Sequence, residues 1–299
     1  MQQIANAAQT ESRSLLRLVE GTPATDGAGV ELTRMIGQPQ LDMLDPFLML
    51  DVMRSDNPDD YIAGFPTHPH RGFETVSYLL AGRFRHQDSV GNAGVLEPGG
   101  VQWMTAGRGI EHSEIPQQVD GLLHGFQLWI NLPASHKMVD PSYQEYVPAQ
   151  IPQEHRDDGT TVRVVAGRTA QGTEGAIRQP LTDPYYFDVS VPTGSVYEDV
   201  LPAQHNAFVY LIEGALLFPD MQGVEQTLRE GGLAVLTQGA RVTLTAGERG
   251  ARFLLVAGRP LKEPVARGGP FVMNTQEEIL QAFRDHAEGR LGRPLSRDR

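Results

Sequence analysis

The chain repeats itself at a spacing of 132 residues. Tyr78–Phe84 reads YLLAGRF and Tyr210–Leu216 reads YLIEGAL, while Glu97–Gly109 reads EPGGVQWMTAGRG and Arg229–Arg241 reads REGGLAVLTQGAR. Both matches hold at the same offset, with no gap between them. In each copy a strand, a glycine turn and a second strand are followed by a Gly-Gly turn and another strand. A repeat of this length built from strand–turn units implies a duplicated all-β domain.

Composition agrees with that architecture. The 299 residues include 32 glycines and 21 prolines, enough to punctuate many short strands, and 40% of the chain is hydrophobic, enough for two cores. A formal net charge of −12 argues against a basic surface for nucleic acid, whose phosphates call for clustered Lys and Arg. No apolar run is long enough to span a membrane. The start, MQQIANAAQTESRS, lacks the basic-then-apolar pattern of a secretory signal, so a cytoplasmic location is expected. With no cysteine, disulfides, thiolate ligands and thiol catalysis are excluded.

Read along the chain, LLRLVE, GVELTRMI and FLMLDVM are strands bounded by Gly, Pro, Asp or Asn. ETVSYLLAGRFRHQD is strand, Gly82 turn, strand, and HGFQLWINLP is a strand stopped by Pro133. The boundaries expected are 14–136 for an N-terminal domain, 137–160 for a linker, and 161–289 for a C-terminal domain with a terminal helix. That helix is NTQEEILQAFRDHAEG. Asn274 or Thr275 caps it, Glu277 and Glu278 occupy its first turn, Ile279, Leu280 and Phe283 form its apolar stripe, and Gly289 ends it.

The chemistry is concentrated in two short pairs, His68-Pro-His70 and, forty-two residues on, His112-Ser-Glu114. In a strand, side chains at i and i+2 point to the same face. Two such strands side by side would aim three imidazoles and a carboxylate into one volume. That donor set suits Fe, Ni, Mn, Cu or Zn better than Ca or Mg, which prefer all-oxygen shells. Four protein ligands leave positions open for water, O2 or substrate, which points to catalysis. The other six histidines, His86, His124, His136, His155, His205 and His286, form no comparable pair and read as structural. At the offset of 132, the four ligand positions fall on Val200, Pro202, Leu244 and Ala246, so the second copy is expected to hold no metal.

The stretches FPTHPHRGFETVSYLLAGRF, QWMTAGRGIEHSEIP, HGFQLWINLP and GRPLKEPVARGGPFVMNT together resemble the pirin family of bicupins, over nearly all of residues 14 to 285. The resemblance implies two cupin-type antiparallel β-barrels in one chain. It implies one metal in the N-terminal barrel, most often iron with copper, nickel or manganese as alternatives, held by His68, His70, His112 and Glu114. Glu74 would then support an imidazole N–H from outside the ligand set, or else serve as a fifth ligand. Phe73 and Trp103 are candidates for the pocket or the core. Arg71 is a candidate substrate contact or a solvent-exposed cation. Met104, Gln127 and Trp129 lie near the site on faces the sequence does not decide.

Family members include flavonol dioxygenases acting on quercetin, and regulators that bind partner proteins. The resemblance therefore implies a metal-dependent 2,3-dioxygenase, with a flavonol and O2 as substrates and Glu114 as the catalytic base that takes the 3-hydroxyl proton. The alternative it implies is a metal-containing redox sensor with a protein partner.

Overall fold

The computed structural model describes residues 11–293. Expectations about the polar start of the chain fall mostly on residues outside that range. The fold is built almost wholly from antiparallel strands, as the repeat requires. The chain opens with β1 (Leu15–Val19). Then come β2 (Thr22–Asp26), β3 (Val30–Ile36), β4 (Phe47–Ser55), β5 (Phe65–His70), β6 (Phe73–Ala81) and β7 (Phe84–Asp88). The first copy closes with β8 (Ala93–Leu96), β9 (Val101–Thr105), β10 (Ile110–Pro116), β11 (Leu123–Asn131) and β12 (Ser142–Tyr146). The second copy holds β13 (Gln153–His155), β14 (Thr161–Ala166), β15 (Tyr185–Val191) and β16 (Val196–Val200). It continues through β17 (Asn206–Pro219), β18 (Glu225–Arg229), β19 (Leu233–Leu236) and β20 (Arg241–Gly258). The chain finishes with β21 (Ala266–Gly268), β22 (Phe271–Met273) and α1 (Gln276–Ala287).

Two compact units result, and neither is a contiguous piece of chain. Among the described residues, the first contains Thr22–Gly37, Phe47–Pro148 and the segment from Leu261 onward; the second contains the segment up to Gly21, Gln38–Pro46 and Ala149–Pro260. The division 14–136, 137–160 and 161–289 expected from sequence therefore differs from the observed one at both ends. β1 pairs with β19, in the second unit. α1 packs Ile279 and Ala282 against Phe271 and Met273 of the β21–β22 hairpin, in the first unit. The stretch anticipated as linker supplies edge strands: β12 pairs with β9 and β13 with β14. A strand edge with unpaired N–H and C=O groups is satisfied by whichever segment the loops can deliver, and sequence order does not say which.

α1 matches its expected caps. Thr275 Oγ1 accepts from Glu278 N, and the Glu278 carboxylate accepts from Thr275 N, completing a capping box. Its stripe is narrower than anticipated: Ile279 is buried, Phe283 reaches the Phe271 ring, and Leu280 is 56% exposed.

In the first unit a seven-stranded sheet (β12-β9-β6-β11-β4-β3-β2) accompanies a four-stranded one (β5-β10-β7-β8). In the second unit the corresponding strands fuse. β17 runs for 14 residues and β20 for 18, so one nine-stranded sheet does the work of two.

Strand register refines the repeat. The pairs Thr75↔Met104 and Phe84↔Leu96 become Ala207↔Leu236 and Leu216↔Leu228, which keeps the offset at 132. The pair Phe84↔Pro116, however, becomes Leu216↔Ala246, an offset of 130 on β20. Glu114 and His112 therefore correspond to Leu244 and Val242. The pair His68↔His112 corresponds to Asp199↔Val242, and His70 to Leu201. This corrects the assignment to Val200, Pro202, Leu244 and Ala246, which a uniform offset produced by ignoring the shorter β9–β10 connection of the second copy. At the corrected positions Leu201, Val242 and Leu244 carry no donor side chain, and Asp199 alone carries one.

Candidate metal centre

β5 and β10 lie side by side and antiparallel, with His68 opposite His112 and His70 opposite Ile110. A bulge follows His112, so Glu114 faces Phe65 and its side chain is re-aimed relative to the strand. The two pairs singled out from sequence thus meet on neighbouring strands. His68, His70 and His112 each present a ring nitrogen within 4.8 Å of the others, and among the described residues no other group of three or more candidate ligands forms. Their ring centroids are 4.6, 4.4 and 5.0 Å apart.

Each ring is fixed from behind. The Nδ1 of His68 lies 2.8 Å from the Pro66 carbonyl, and that of His70 lies 3.3 Å from the Pro270 carbonyl, so both donate and leave Nε2 free. His112 Nδ1 lies 3.5 Å from His86 Nδ1, while its Nε2 is buried with no partner among the described residues. Burial pushes the pKa values of His70 and His112 well below the usual imidazole range, and the neighbouring imidazoles push the same way. Neutral rings with inward lone pairs are what a transition metal binds, and an unsatisfied buried nitrogen is costly without one. The residues fit a metal of that class.

Glu114 is adjacent to the trio but not within its ligand cluster. Its Oε1 lies 2.7 Å from Ser77 Oγ, and its Oε2 accepts from Gln127 Nε2 at 3.1 Å. Ser77 and Gln127 face each other across β6 and β11, which explains how side chains fifty residues apart share one carboxylate.

These groups open onto a cavity of about 610 Å³ whose wall includes His68, His70, Glu114, Gln127, Trp129 and Met49. This lies within the range of small-molecule sites. Trp129 stands edge-on to His70 at 5.1 Å. A second face of the cavity is ionic: Arg34 grips Asp51 through two bonds of 2.8 and 2.6 Å and reaches Asp26 at 3.1 Å. Burial raises the Asp51 carboxyl, and Arg34 opposes that shift. Sequence reading passed over Asp51, although a lone carboxylate in the apolar run FLMLDVM was a visible signal.

Other expectations resolve individually. Gln127 and Trp129 line the cavity; Phe73 packs behind His70 at 5.1 Å, and Trp103 and Met104 are buried off the cavity wall. Glu74 requires a correction. Thr75 and Ser77 pair with Trp129 and Gln127, so strand alternation puts Glu74 on the opposite face of β6. There Glu74 Oε1 accepts from Thr105 Oγ1 at 2.6 Å. The imidazole supports are Pro66, Pro270 and His86 instead.

Arg71 is neither a substrate contact nor exposed. It donates to Arg108 O at 2.6 Å and pairs with Asp285 of α1 at 2.8 Å. Next to it, Gly72 adopts φ +88°, and a side chain there would collide with the Val272 carbonyl. Buried Lys137 ties Gly72 O, Asn131 Oδ1 and Val272 O together at 2.7, 2.7 and 3.0 Å. The turn after His70 and strand β22 are thus held by one cation, which burial lowers to a pKa of about 8.

Residues 29–130 match the Pirin family, and residues 186–292 match the Pirin C-terminal cupin domain. A Pseudomonas aeruginosa protein, provisionally named a quercetin 2,3-dioxygenase, is 49% identical over 94% of this chain and 98% of its own length. A pirin-like protein of Caulobacter vibrioides is also 49% identical, over 93% of this chain and 99% of its own. Among solved structures, a quercetin 2,3-dioxygenase from Acinetobacter baumannii superposes with a TM-score of 0.84 at 32% identity, covering 94% of this chain and 99% of that one. With both cupin barrels matched and relatives aligned over almost their full length, the chain belongs to the pirin family.

Proposed function

We propose that this protein is a metal-dependent dioxygenase that opens flavonols such as quercetin with O2, its metal held by His68, His70 and His112 with Glu114 as fourth ligand and base. The observation that carries the reading is the cluster of three imidazoles, two of which, His68 and His70, stand with Glu114 at the wall of a cavity large enough for an aromatic substrate. A divalent transition metal, iron foremost and copper, nickel or manganese as alternatives, would supply Lewis acidity toward the substrate oxygen and redox capacity toward O2.

The chain's own residues do the rest. Glu114 accepts the proton of the flavonol 3-hydroxyl, and Ser77 and Gln127 hold its carboxylate in place. Trp129 offers a flat apolar wall against which a planar ring can lie. Met49, Met53 and Phe65 keep the cavity floor apolar, while Arg34 and Arg267 supply cations toward phenolate oxygens. The names carried by the Pseudomonas and Acinetobacter relatives support the same reaction class.

The test is oxygen uptake and carbon monoxide release with quercetin, using protein loaded in turn with iron, copper, nickel and manganese. Metal-dependent uptake is expected, with none from a flavone lacking the 3-hydroxyl. No uptake with any of the four would overturn the dioxygenase reading and favour the redox-sensing regulator with a protein partner.

A further inference from the structure

We infer that His86, with Asp88 behind it, is the positioning residue for the ligand His112: its Nδ1 accepts from the Nδ1–H of that imidazole and so aims the Nε2 lone pair at the metal. The inference rests on the metal reading above but not on the dioxygenase reaction.

The argument is a count of donors and acceptors. A neutral imidazole has one N–H and one lone pair. On His112, Nε2 is buried with no partner among the described residues, and Nδ1 faces His86 Nδ1 at 3.5 Å. If Nε2 carried the proton, a buried donor would be stranded among two other imidazoles, which is costly. With the proton on Nδ1, His86 Nδ1 must accept it. The His86 proton then sits on Nε2, which faces Asp88 Oδ2 at 3.4 Å. Asp88 is acceptor-only and fully enclosed, and Val90 N, Asn92 N and Asn92 Nδ2 anchor it. Every hydrogen in the chain His112–His86–Asp88 then has a destination.

The register makes this arrangement specific. β7 pairs with β10 so that Asp88 stands opposite His112 and His86 opposite Glu114. His86 is 2% exposed and stacks on Tyr143 at 4.7 Å with the planes 22° apart, which fixes the ring. The two hydrogen-bonding contacts are long, at the outer limit for N–H bonds. The stack is therefore the main restraint on the ring, and the polar contacts set which nitrogen faces which. His68 and His70 use backbone carbonyls for the same purpose. His112 uses a side chain, which a substitution can reach.

The experiment measures affinity for Ni(II) by chelator competition, together with thermal unfolding of the metal-free forms. His86→Phe keeps a flat ring against Tyr143 and removes the acceptor; affinity is expected to fall about 10–100-fold, the usual cost of losing an outer partner. His86→Gln restores an acceptor oxygen, and its affinity should recover most of that loss. Asp88→Asn turns an acceptor toward His86 into a donor and should weaken binding several-fold without touching the imidazole. Metal-free melting temperatures distinguish misfolding from lost positioning. The proposal is overturned if His86→Phe binds Ni(II) as tightly as the unaltered chain, or if the Phe and Gln variants lose equally while both fold. If the unaltered chain itself takes up no Ni(II), the metal reading and this proposal fall together; uptake without quercetin turnover leaves this proposal standing and removes only the dioxygenase.

Discussion

The two barrels use the same strand order for opposite purposes. In the first, the inward positions of β5, β10, β7, β6 and β11 carry His68, His112, Glu114, His86, Ser77 and Gln127. In the second, register gives the equivalent positions to Asp199, Val242, Leu244, Phe218, Val209 and Leu255. Five of those six belong to one continuous hydrophobic cluster that also takes in Leu201, the counterpart of His70. The sixth, Asp199, is fully committed, with Arg156 at 2.8 Å, Tyr197 OH at 2.9 Å and Ala170 N at 2.7 Å. The difference teaches what a buried site costs. The second barrel fills its interior and gains apolar burial, whereas the first keeps polar groups in its interior and must satisfy each of them with a partner or a metal.

The sharpest test of that contrast removes a ligand. His112→Ala should abolish stoichiometric metal uptake, a loss well beyond the ~100-fold that an outer partner costs, while His124→Ala should leave metal content near one per chain. Elemental analysis of protein purified without added metal reads both. Equal loss from the two variants would break the ligand assignment, and two tightly held metals per chain would break the contrast between barrels.

Next in size is Glu114→Gln. Turnover should drop by about 10²–10⁴-fold, the usual worth of a general base, even where metal is retained, because an amide cannot take the hydroxyl proton. Steady-state rates normalised to bound metal check this; a variant with more than about a tenth of the normal rate per metal would remove Glu114 from the base role.

The mirror substitution in the second barrel, Leu244→Glu, should destabilise the fold by about 3 kcal/mol or more, because it buries a carboxylate with no partner. It should create no metal site, since Val242 and Leu201 offer no ligands. Denaturant unfolding measures the first expectation. A neutral effect on stability would mean that this interior is more open than its packing implies.

The smallest expected effect concerns pH. His205, buried in the second unit, is held down to a pKa of about 4, chiefly by desolvation, against about 6.5 in the unfolded chain. Between those values the unfolded state binds the extra proton, so stability is fully present above about pH 6.5 and falls as pH drops toward 4. His205→Gln should flatten the fall in melting temperature over that window. His70 and His112 are depressed in the same direction, so metal-free protein should lose stability on acidification in both units. A melting temperature that rises from pH 6.5 to 4.5 would contradict all three.

Much of this molecule follows from the order of its residues. The repeat dictated a doubled all-β fold, and the i, i+2 spacing put His68 with His70 and His112 with Glu114, because strand alternation is a local rule; the pairing of β5 with β10 then joined the two pairs. The capped helix was local too, through Thr275 and Glu278. What the tertiary structure alone decided were the relations that cross a turn or a long loop. Glu74 lost its expected role because the Arg71–Gly72 turn resets the alternation between β5 and β6. The equivalents of His112 and Glu114 moved by two residues because one connection is shorter in the second copy. His86 and Asp88 had the same i, i+2 spacing as the ligands, but only the pairing of β7 with β10 put them behind His112. The C-terminal segment joined the first unit, and its Pro270 carbonyl reached His70 across 200 residues of chain, because register and packing are settled by contacts that local sequence does not encode.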